Sequence, residues 1–205
     1  MEVIMAVPEL TIAKTKTASR WYPPPQGEWT YEDYLHLPDD GLRYEVIGGN
    51  LYMSPAPRPK HQKILLKLIA VLYDFVYGQE LGEIYHAPID VILPEQAAPV
   101  QPDLLYIPHA NLEIVGETNI EGTPDLIVEV LSPGNATHDQ ITKFQAYAQS
   151  GVKEYWIVDG EAGVIDVFVL RGRAYAPLGR FTADEIVASE VLPALQVKVS
   201  DICAA

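Results

Sequence analysis

The sequence predicts an α/β protein: a central mixed β-sheet flanked by helices, with a hairpin added at its N-terminal side. Three observations carry that expectation. Apolar runs of strand length recur at 83–93, 103–107, 125–131, 153–159 and 164–170. Two other segments, 58–78 and 138–150, repeat apolar residues every three to four positions, the helical period. The second of these lies between two strongly apolar strands, which favours a crossover and parallel pairing there.

In chain order, residues 1–29 are Pro-rich around "WYPPPQGEW" and are expected to form a loosely packed arm, with residues 30–205 as a single domain. "TYEDYLHLPDD" (30–40) reads as a short helix, with Thr30 as cap, Asp33 completing a capping box and Pro38 helping to end it. "LRYEVIGGNLYMSP" (42–55) reads as a hairpin: alternating "RYEVI", a Gly48-Gly49-Asn50 turn, then "LYM". In 58–78, Ile64, Leu65, Leu68, Ala70 or Val71, Leu72 and Phe75 form the helical stripe, and Gly78 closes it. Strands follow at "EIYHAPIDVIL" (83–93), "DLLYI" (103–107) and "DLIVEVL" (125–131). Asn135 or Thr137 caps the next helix, 138–150, whose apolar side carries Ile141, Phe144, Tyr147 and Ala148 and whose end is Gly151. "KEYWIVD" (153–159) is a further strand, paired with "VIDVFVL" (164–170) across a Gly-containing turn. The tail from 171 reads as short strands and turns. No repeat and no linker divides the chain.

At 205 residues, 48% hydrophobic, the chain is long enough for a substantial core. No stretch reaches the roughly 18–20 apolar residues of a membrane span. Met1–Leu10 is too short and too acidic for a secretory signal, so a cytoplasmic protein is the simplest expectation. The single cysteine, Cys203, excludes an internal disulfide and a Cys-cluster zinc site. Lys and Arg number 14 against 28 Asp and Glu, a net charge of −14 that argues against a broad phosphate-binding face. A local basic patch, or a divalent metal that reverses the local sign, remains open.

Glu129 sits among Leu126, Ile127, Val128, Val130 and Leu131. An unpaired buried ion costs many kcal/mol, so such a carboxylate is paired, protonated or bound to metal. By strand alternation Asp125, Ile127, Glu129 and Leu131 share one face, while Leu126, Val128 and Val130 turn to the core. Asp103 leads another strand, so in suitable register Asp103 and Glu129 converge. Two such carboxylates make a hard-oxygen site suited to Mg²⁺ or Mn²⁺, which stabilises charge on a phosphoryl oxygen. The alternative is that Glu129 pairs with a cation or caps a backbone group, and that Asp103 forms a turn after Pro102. Asp125 reads as structural. Asp90 and Asp159 stay unassigned, and His36, His86, His109 and His138 read as structural.

"QPDLLYI", "PDLIVEVLSP", a helix containing Lys143 and Tyr147, and "GVKEYWIVD" together resemble the Uma-type family of restriction-endonuclease-like proteins, placed in the PD-(D/E)XK nuclease superfamily. "RYEVIGGNLYMSP" and His61 extend the resemblance, which runs from about residue 30 to 170 or beyond. It implies a restriction-endonuclease-like core of helix, three strands, helix and strand. It also implies Mg²⁺-dependent phosphodiester cleavage, with Asp103 as the motif aspartate, Glu129 as the acid of the acid-x-lysine motif and Glu45 as the additional acid. The pattern wants lysine two residues after Glu129; that position is Leu131, and Lys143 on the next helix is the replacement candidate. His61 stands in "RPKHQK" beside Lys60 and Lys63, the only dense basic patch. It reads either as a contact to nucleic-acid phosphate, or as a group polarising water near the metal, or as a solvated first helical turn.

The expectation is a metal-dependent nuclease acting on nucleic acid, DNA rather than RNA, with Glu45, Asp103 and Glu129 on Mg²⁺ or Mn²⁺ and Lys143 serving the water. A catalytically inactive nuclease-fold binding or assembly module is the alternative, and a hydrolase of smaller phosphoesters a third reading. Exposed strands and the aromatics Tyr52, Tyr106 and Trp156 predict a homodimer.

Overall fold

A computed structural model describes residues 21–40, 42–54, 56–96, 99–132 and 136–204. Residues 1–20 of the expected arm and the expected cap Asn135 lie outside the described residues, as does the side chain of Thr137. Helix α1 (Tyr31–Tyr34) carries the expected capping box between Thr30 and Asp33. Strands β1 (Arg43–Ile47) and β2 (Asn50–Ser54) form a separate antiparallel hairpin closed by Gly48 and Gly49. Both glycines have positive φ, +57° and +74°, the conformation that a two-residue turn demands. Gly49 also carries the arm: its carbonyl accepts the Gly27 and Trp29 N–H groups.

Helix α2 (Pro59–Gly78) is followed by β3 (Gly82–His86), β4 (Val91–Ile92), β5 (Leu104–Pro108), a 3-10 turn at His109–Ile114, β6 (Ile120–Glu121) and β7 (Leu126–Val130). Helix α3 (Ala136–Gln149) then crosses to β8 (Glu154–Asp159), β9 (Val164–Arg171) and β10 (Ala174–Thr182), and a short α4 (Val199–Cys203) ends the fold. The main sheet has six strands in the order β10-β9-β8-β7-β5-β3. Its one parallel pair is β7 with β8, the two strands joined through α3, as the crossover argument requires.

The sheet is buried on both faces. Leu104, Leu126, Val128 and Trp156 pack against α2 and the C-terminal segment. Leu105, Ile127 and Tyr155 pack on the other face with Tyr147 of α3. The face carrying Glu129 is therefore a second core, because the central strands are roofed by helices on both sides.

Four expectations are corrected. The segment 83–93 is two strands, β3 and β4, broken at Pro88, which lacks a ladder donor; β4 pairs instead with β6 in a small parallel sheet. Tyr106 and Trp156 are buried, at 4% and 0% exposure, and offer no dimer surface, while Tyr52 is half-buried. Trp156 is held inward by the hydrogen bond from its Nε1 to Glu154. Ile141 is exposed, since α3 docks through Phe144, Ala146 and Tyr147 instead. The tail contains a nine-residue strand and α4; a five-residue helix is too short for its period to show. Among the described residues no helix is long and apolar enough to cross a membrane.

Candidate active site

Strand β5 runs antiparallel to β7, with Leu104 opposite Val128. That register brings Asp103, just before β5, beside Glu129 and Val130 at the end of β7. Asp103 Oδ2 accepts the Val130 N–H at 2.9 Å. The same oxygen lies 3.0 Å from His61 Nε2, and Asp103 Oδ1 lies 3.1 Å from Arg43 Nη1. His61 reaches it from the first turn of α2 and is itself buried.

The hairpin supplies two charges from one face. Arg43 and Glu45 are two residues apart on β1, so both turn the same way. The second amine of the Arg43 guanidinium donates to the Gln101 carbonyl, and the Gln101 N–H donates to Glu45 Oε1 at 2.8 Å. The segment leading into β5 is thereby clamped to the hairpin. Glu45 Oε2 is 3.0 Å from Lys143 Nζ.

Lys143 completes the group. Its Nζ is also 3.1 Å from Glu129 Oε1, and Tyr147 donates its hydroxyl to the same oxygen at 2.7 Å. Lys143 and Tyr147 are four residues apart on α3, one turn, so one helix face presents both to the strand. One ammonium thus bridges a hairpin acid and a strand acid.

The two sheet acids sit in opposite electrostatic states. Burial alone would raise Asp103, but His61, the Arg43 guanidinium and the Val130 N–H together hold it at about 2. Glu129 is pushed up to about 7, first by burial, with Lys143 and the Tyr147 hydroxyl opposing and the negative charges of Asp103 and Glu45 adding to the rise. Burial and the neighbouring carboxylates drive the Tyr147 hydroxyl well above its ordinary range, so it stays a donor. Burial lowers Arg43, but Asp103, Glu45 and Glu129 outweigh it and keep the guanidinium charged. Three buried carboxylates face buried Lys143 and partly buried Arg43, which with His61 neutral leaves one negative charge in excess whenever all three acids are ionised.

Of the residues singled out in the sequence, Glu45, Asp103, Glu129, Lys143 and His61 fall within this network. Lys60 and Lys63 do not. Lys60 pairs with Glu161 at the surface, 2.9 Å away, and Lys63 is exposed on α2. Asp125 is tied to Lys153 and Asn111 at the opposite end of β7, and Asp159 caps the β8–β9 turn. Asp90 accepts from Tyr34 and the Gln101 side chain.

Three participants escaped the sequence reading. Arg43 had a signal, its place two residues before Glu45 on an alternating strand. Tyr147 was named on the apolar side of its helix and beside Lys143 in the resemblance, but was given no role in the site. Gln101 acts through its backbone, which leaves no mark in the sequence.

Hard oxygen donors and an excess negative charge fit a divalent cation in kind and in charge. Among the described residues, however, no three His, Cys, Asp or Glu side chains already surround one point. Lys143 stands between Glu45 and Glu129, and Arg43 is paired with Asp103.

A search of the curated proteins finds no match. Among solved structures, the chain is similar to a "putative nuclease belonging to DUF820" from Anabaena variabilis ATCC 29413. The two share 18% identity over 86% of this chain and 98% of that one, with a TM-score of 0.72. A match to the type IIG restriction endonuclease BpuSI covers 58% of this chain and 13% of that one at 17% identity, with a TM-score of 0.32. The Anabaena likeness shows the fold: a restriction-endonuclease-like sheet with helices on both faces. The family model described as "Uma2: Putative restriction endonuclease" matches residues 31–200, from α1 into α4, and the chain belongs to that family.

Proposed function

We propose that the protein is a metal-dependent nuclease that hydrolyses phosphodiester bonds in DNA and works in the cytoplasm. The observation that carries the reading is the position of Lys143: its ammonium lies 3.0 Å from Glu45 and 3.1 Å from Glu129, delivered from α3 where the position two residues after Glu129, just past β7, is Leu131. Asp103, Glu129 and Glu45 would hold the ion, Mg²⁺ or Mn²⁺. Such an ion supplies charge stabilisation at a phosphoryl oxygen and a bound water of lowered pKa.

The protein's own groups divide the remaining work. Asp103, held at about 2, stays anionic at any working pH and is a permanent oxygen donor. Arg43, His61 and the Val130 N–H fix its orientation. Glu129, at about 7, changes charge near neutrality, and the Tyr147 hydroxyl keeps its carboxylate aimed at Lys143. Lys143 has protons to share and two carboxylates to hold it, so it orients the attacking water and steadies the charge that develops at the phosphate.

The test is cleavage of plasmid, single-stranded DNA and RNA with Mg²⁺, Mn²⁺ or chelator, together with calorimetric metal titration. Cleavage that needs metal and is lost in both Glu129→Gln and Lys143→Ala supports the reading. A second reading, an inactive nuclease-fold binding module, is favoured by the acids not yet surrounding one point and by the net charge of −14. It predicts no cleavage under any of these conditions and no metal heat that depends on Glu129.

A further inference from the structure

Among the described residues, three buried side-chain polar atoms have no hydrogen-bond partner: Arg43 Nε, His61 Nδ1 and Gln101 Oε1. All three belong to residues grouped around Asp103. Arg43 and His61 bind its carboxylate, and the Gln101 carbonyl takes the Arg43 guanidinium. Orphaned buried atoms are costly, and they gather where a ligand or a reaction makes use of them. His61 also brings the first turn of α2 to Asp103. That turn has no side-chain cap, so its free N–H groups and the helix dipole favour an anion nearby.

Arg43 is the member of this group least committed to its place. A guanidinium is a planar fork of N–H donors that grips one carboxylate or one phosphate at two points. Here Nη1 meets Asp103 Oδ1 while Nη2 meets a neutral carbonyl, so the fork is split and Nε has no partner. The two Asp103 oxygens are unequal as well. Oδ2 is held by the Val130 N–H and by His61, whereas Oδ1 faces Arg43. Oδ1 is therefore the oxygen a metal ion can take with the other contacts of Asp103 intact. A guanidinium and a divalent ion on that one oxygen repel each other. The Arg43 side chain is also 21% exposed, against 10% or less for those of Glu45, His61, Asp103, Glu129 and Lys143. It is the charge of the cluster most open to a phosphate arriving from solvent.

Resting on the metal-dependent reading of the site, we propose that Arg43 is its phosphate-binding residue, stored on Asp103 Oδ1 in the metal-free chain and released to the phosphodiester when a divalent ion takes that oxygen. The guanidinium then exchanges one anionic oxygen for another, and its fork closes on two phosphate oxygens. Before metal arrives, the same pairing fixes Asp103 and compensates its charge.

Two measurements on the full chain test it: calorimetry with Mn²⁺ alone, and fluorescence anisotropy of cleavage-resistant phosphorothioate DNA with Mn²⁺ or with chelator. Arg43→Gln removes the competing cation, so it should bind Mn²⁺ about tenfold tighter than the wild type. Loaded with Mn²⁺, the same variant should bind the DNA about tenfold more weakly than the loaded wild type. A residue that merely held the hairpin in place would weaken both. Asp103→Asn comes from the other side, because it loosens the guanidinium without metal. In chelator it should bind the DNA more tightly than Glu45→Gln, which removes the same charge with Arg43 still on Asp103. Adding Arg43→Gln to Asp103→Asn should abolish that gain. The Asp103→Asn and Glu45→Gln comparison decides the matter even where Arg43→Gln fails to fold. Mn²⁺ binding unchanged or weaker in Arg43→Gln overturns the proposal. So does DNA binding indifferent to Arg43, or an Asp103→Asn chain that binds DNA no better than Glu45→Gln. A wild type that gives no Mn²⁺ heat sinks the metal-dependent reading and this proposal together. Mn²⁺ binding that depends on Glu129 but does not tighten in Arg43→Gln removes the proposal alone.

Discussion

Glu129→Gln should make the protein more stable at alkaline pH while destroying the proposed activity. The folded chain holds Glu129 at about 7 against an ordinary 4.5, because burial and the nearby Asp103 and Glu45 charges outweigh Lys143 and Tyr147. The folded state therefore keeps a proton that the unfolded chain releases between those two values. Stability falls as pH rises through that window and does not return above it. At 1.36 kcal/mol for each pH unit the loss comes to about 3 kcal/mol. Glutamine fixes the neutral form, and its amide oxygen still accepts from Tyr147 and Lys143. The variant should match the wild type near pH 4.5 and exceed it by about 2–3 kcal/mol at pH 8. For a domain of this size that raises the melting temperature by roughly 5–10 °C. The assay is thermal and denaturant unfolding of both proteins in chelator at a series of pH values. A variant no more stable than wild type at pH 8, or one whose advantage is the same at pH 4.5, would falsify the view that Glu129 is the strained acid of this cluster.

Other consequences follow from the same geometry. Mg²⁺ or Mn²⁺ should raise the wild-type melting temperature at pH 8 and narrow the gap to Glu129→Gln, with no gain in Asp103→Asn, read by the same scans. Lys143→Ala leaves Glu45 and Glu129 without their shared ammonium. Breaking a buried pair costs about 3–5 kcal/mol, so denaturant unfolding should show a loss near the lower end, Glu129 escaping part of it by protonation. Asp103 contributes in the opposite sense: held at about 2 against an ordinary 3.8, it gives stability above pH 3.8 that is lost as pH falls through 2. Asp103→Asn should accordingly unfold in acid with a flatter profile, lacking a contribution of about 2 kcal/mol. Far from the site, Glu154 is fully buried and accepts from Trp156, Ser189, Glu190 and Val191. Glu154→Ala strands those donors at about 1–3 kcal/mol each for any that find no water, so the melting temperature should drop sharply in a thermal scan.

What could be read in the sequence was whatever depends on local period. The stripe of α2, the glycine turn after Ile47 and the crossover between β7 and β8 each follow from residues close together in the chain. What could not be read was which face of a sheet ends up covered. Tyr106 and Trp156 looked available because alternation assigns faces and does not say that both faces will be roofed. Pro88 in the apolar run 83–93 was a legible strand break that the length of the run concealed. In the site, Asp103 and Glu129 stood out because carboxylates are rare in apolar strands. Arg43 did not, because an arginine two residues from a glutamate is ordinary on an exposed hairpin, and its burial against Asp103 arises only when the hairpin docks on the start of β5.

On the proposed function Lys143 does the work of a lysine at position 131, and its place on α3 has a physical reading. A residue two places after Glu129 on the same strand lies ~7 Å further along it, past the last β7 residue, Val130. From α3 the amine arrives from above the sheet instead and touches the hairpin acid as well as the strand acid. One ammonium then joins three segments that are distant in the chain, at the cost of leaving three carboxylates with two protein cations. On the proposed function that imbalance has a purpose. A cluster fully neutralised by its own side chains would gain little from binding a metal. With Glu129 ionised and His61 neutral this one is short of positive charge, and a divalent ion together with a singly charged phosphodiester brings it to neutrality. Metal and substrate therefore each relieve what the other leaves, so divalent ion should tighten the binding of a non-cleavable phosphodiester to the wild type. In Glu129→Gln, where the surplus acid is gone, that coupling should largely disappear; coupling of equal size in the two proteins would show that the excess charge has no part in recognition.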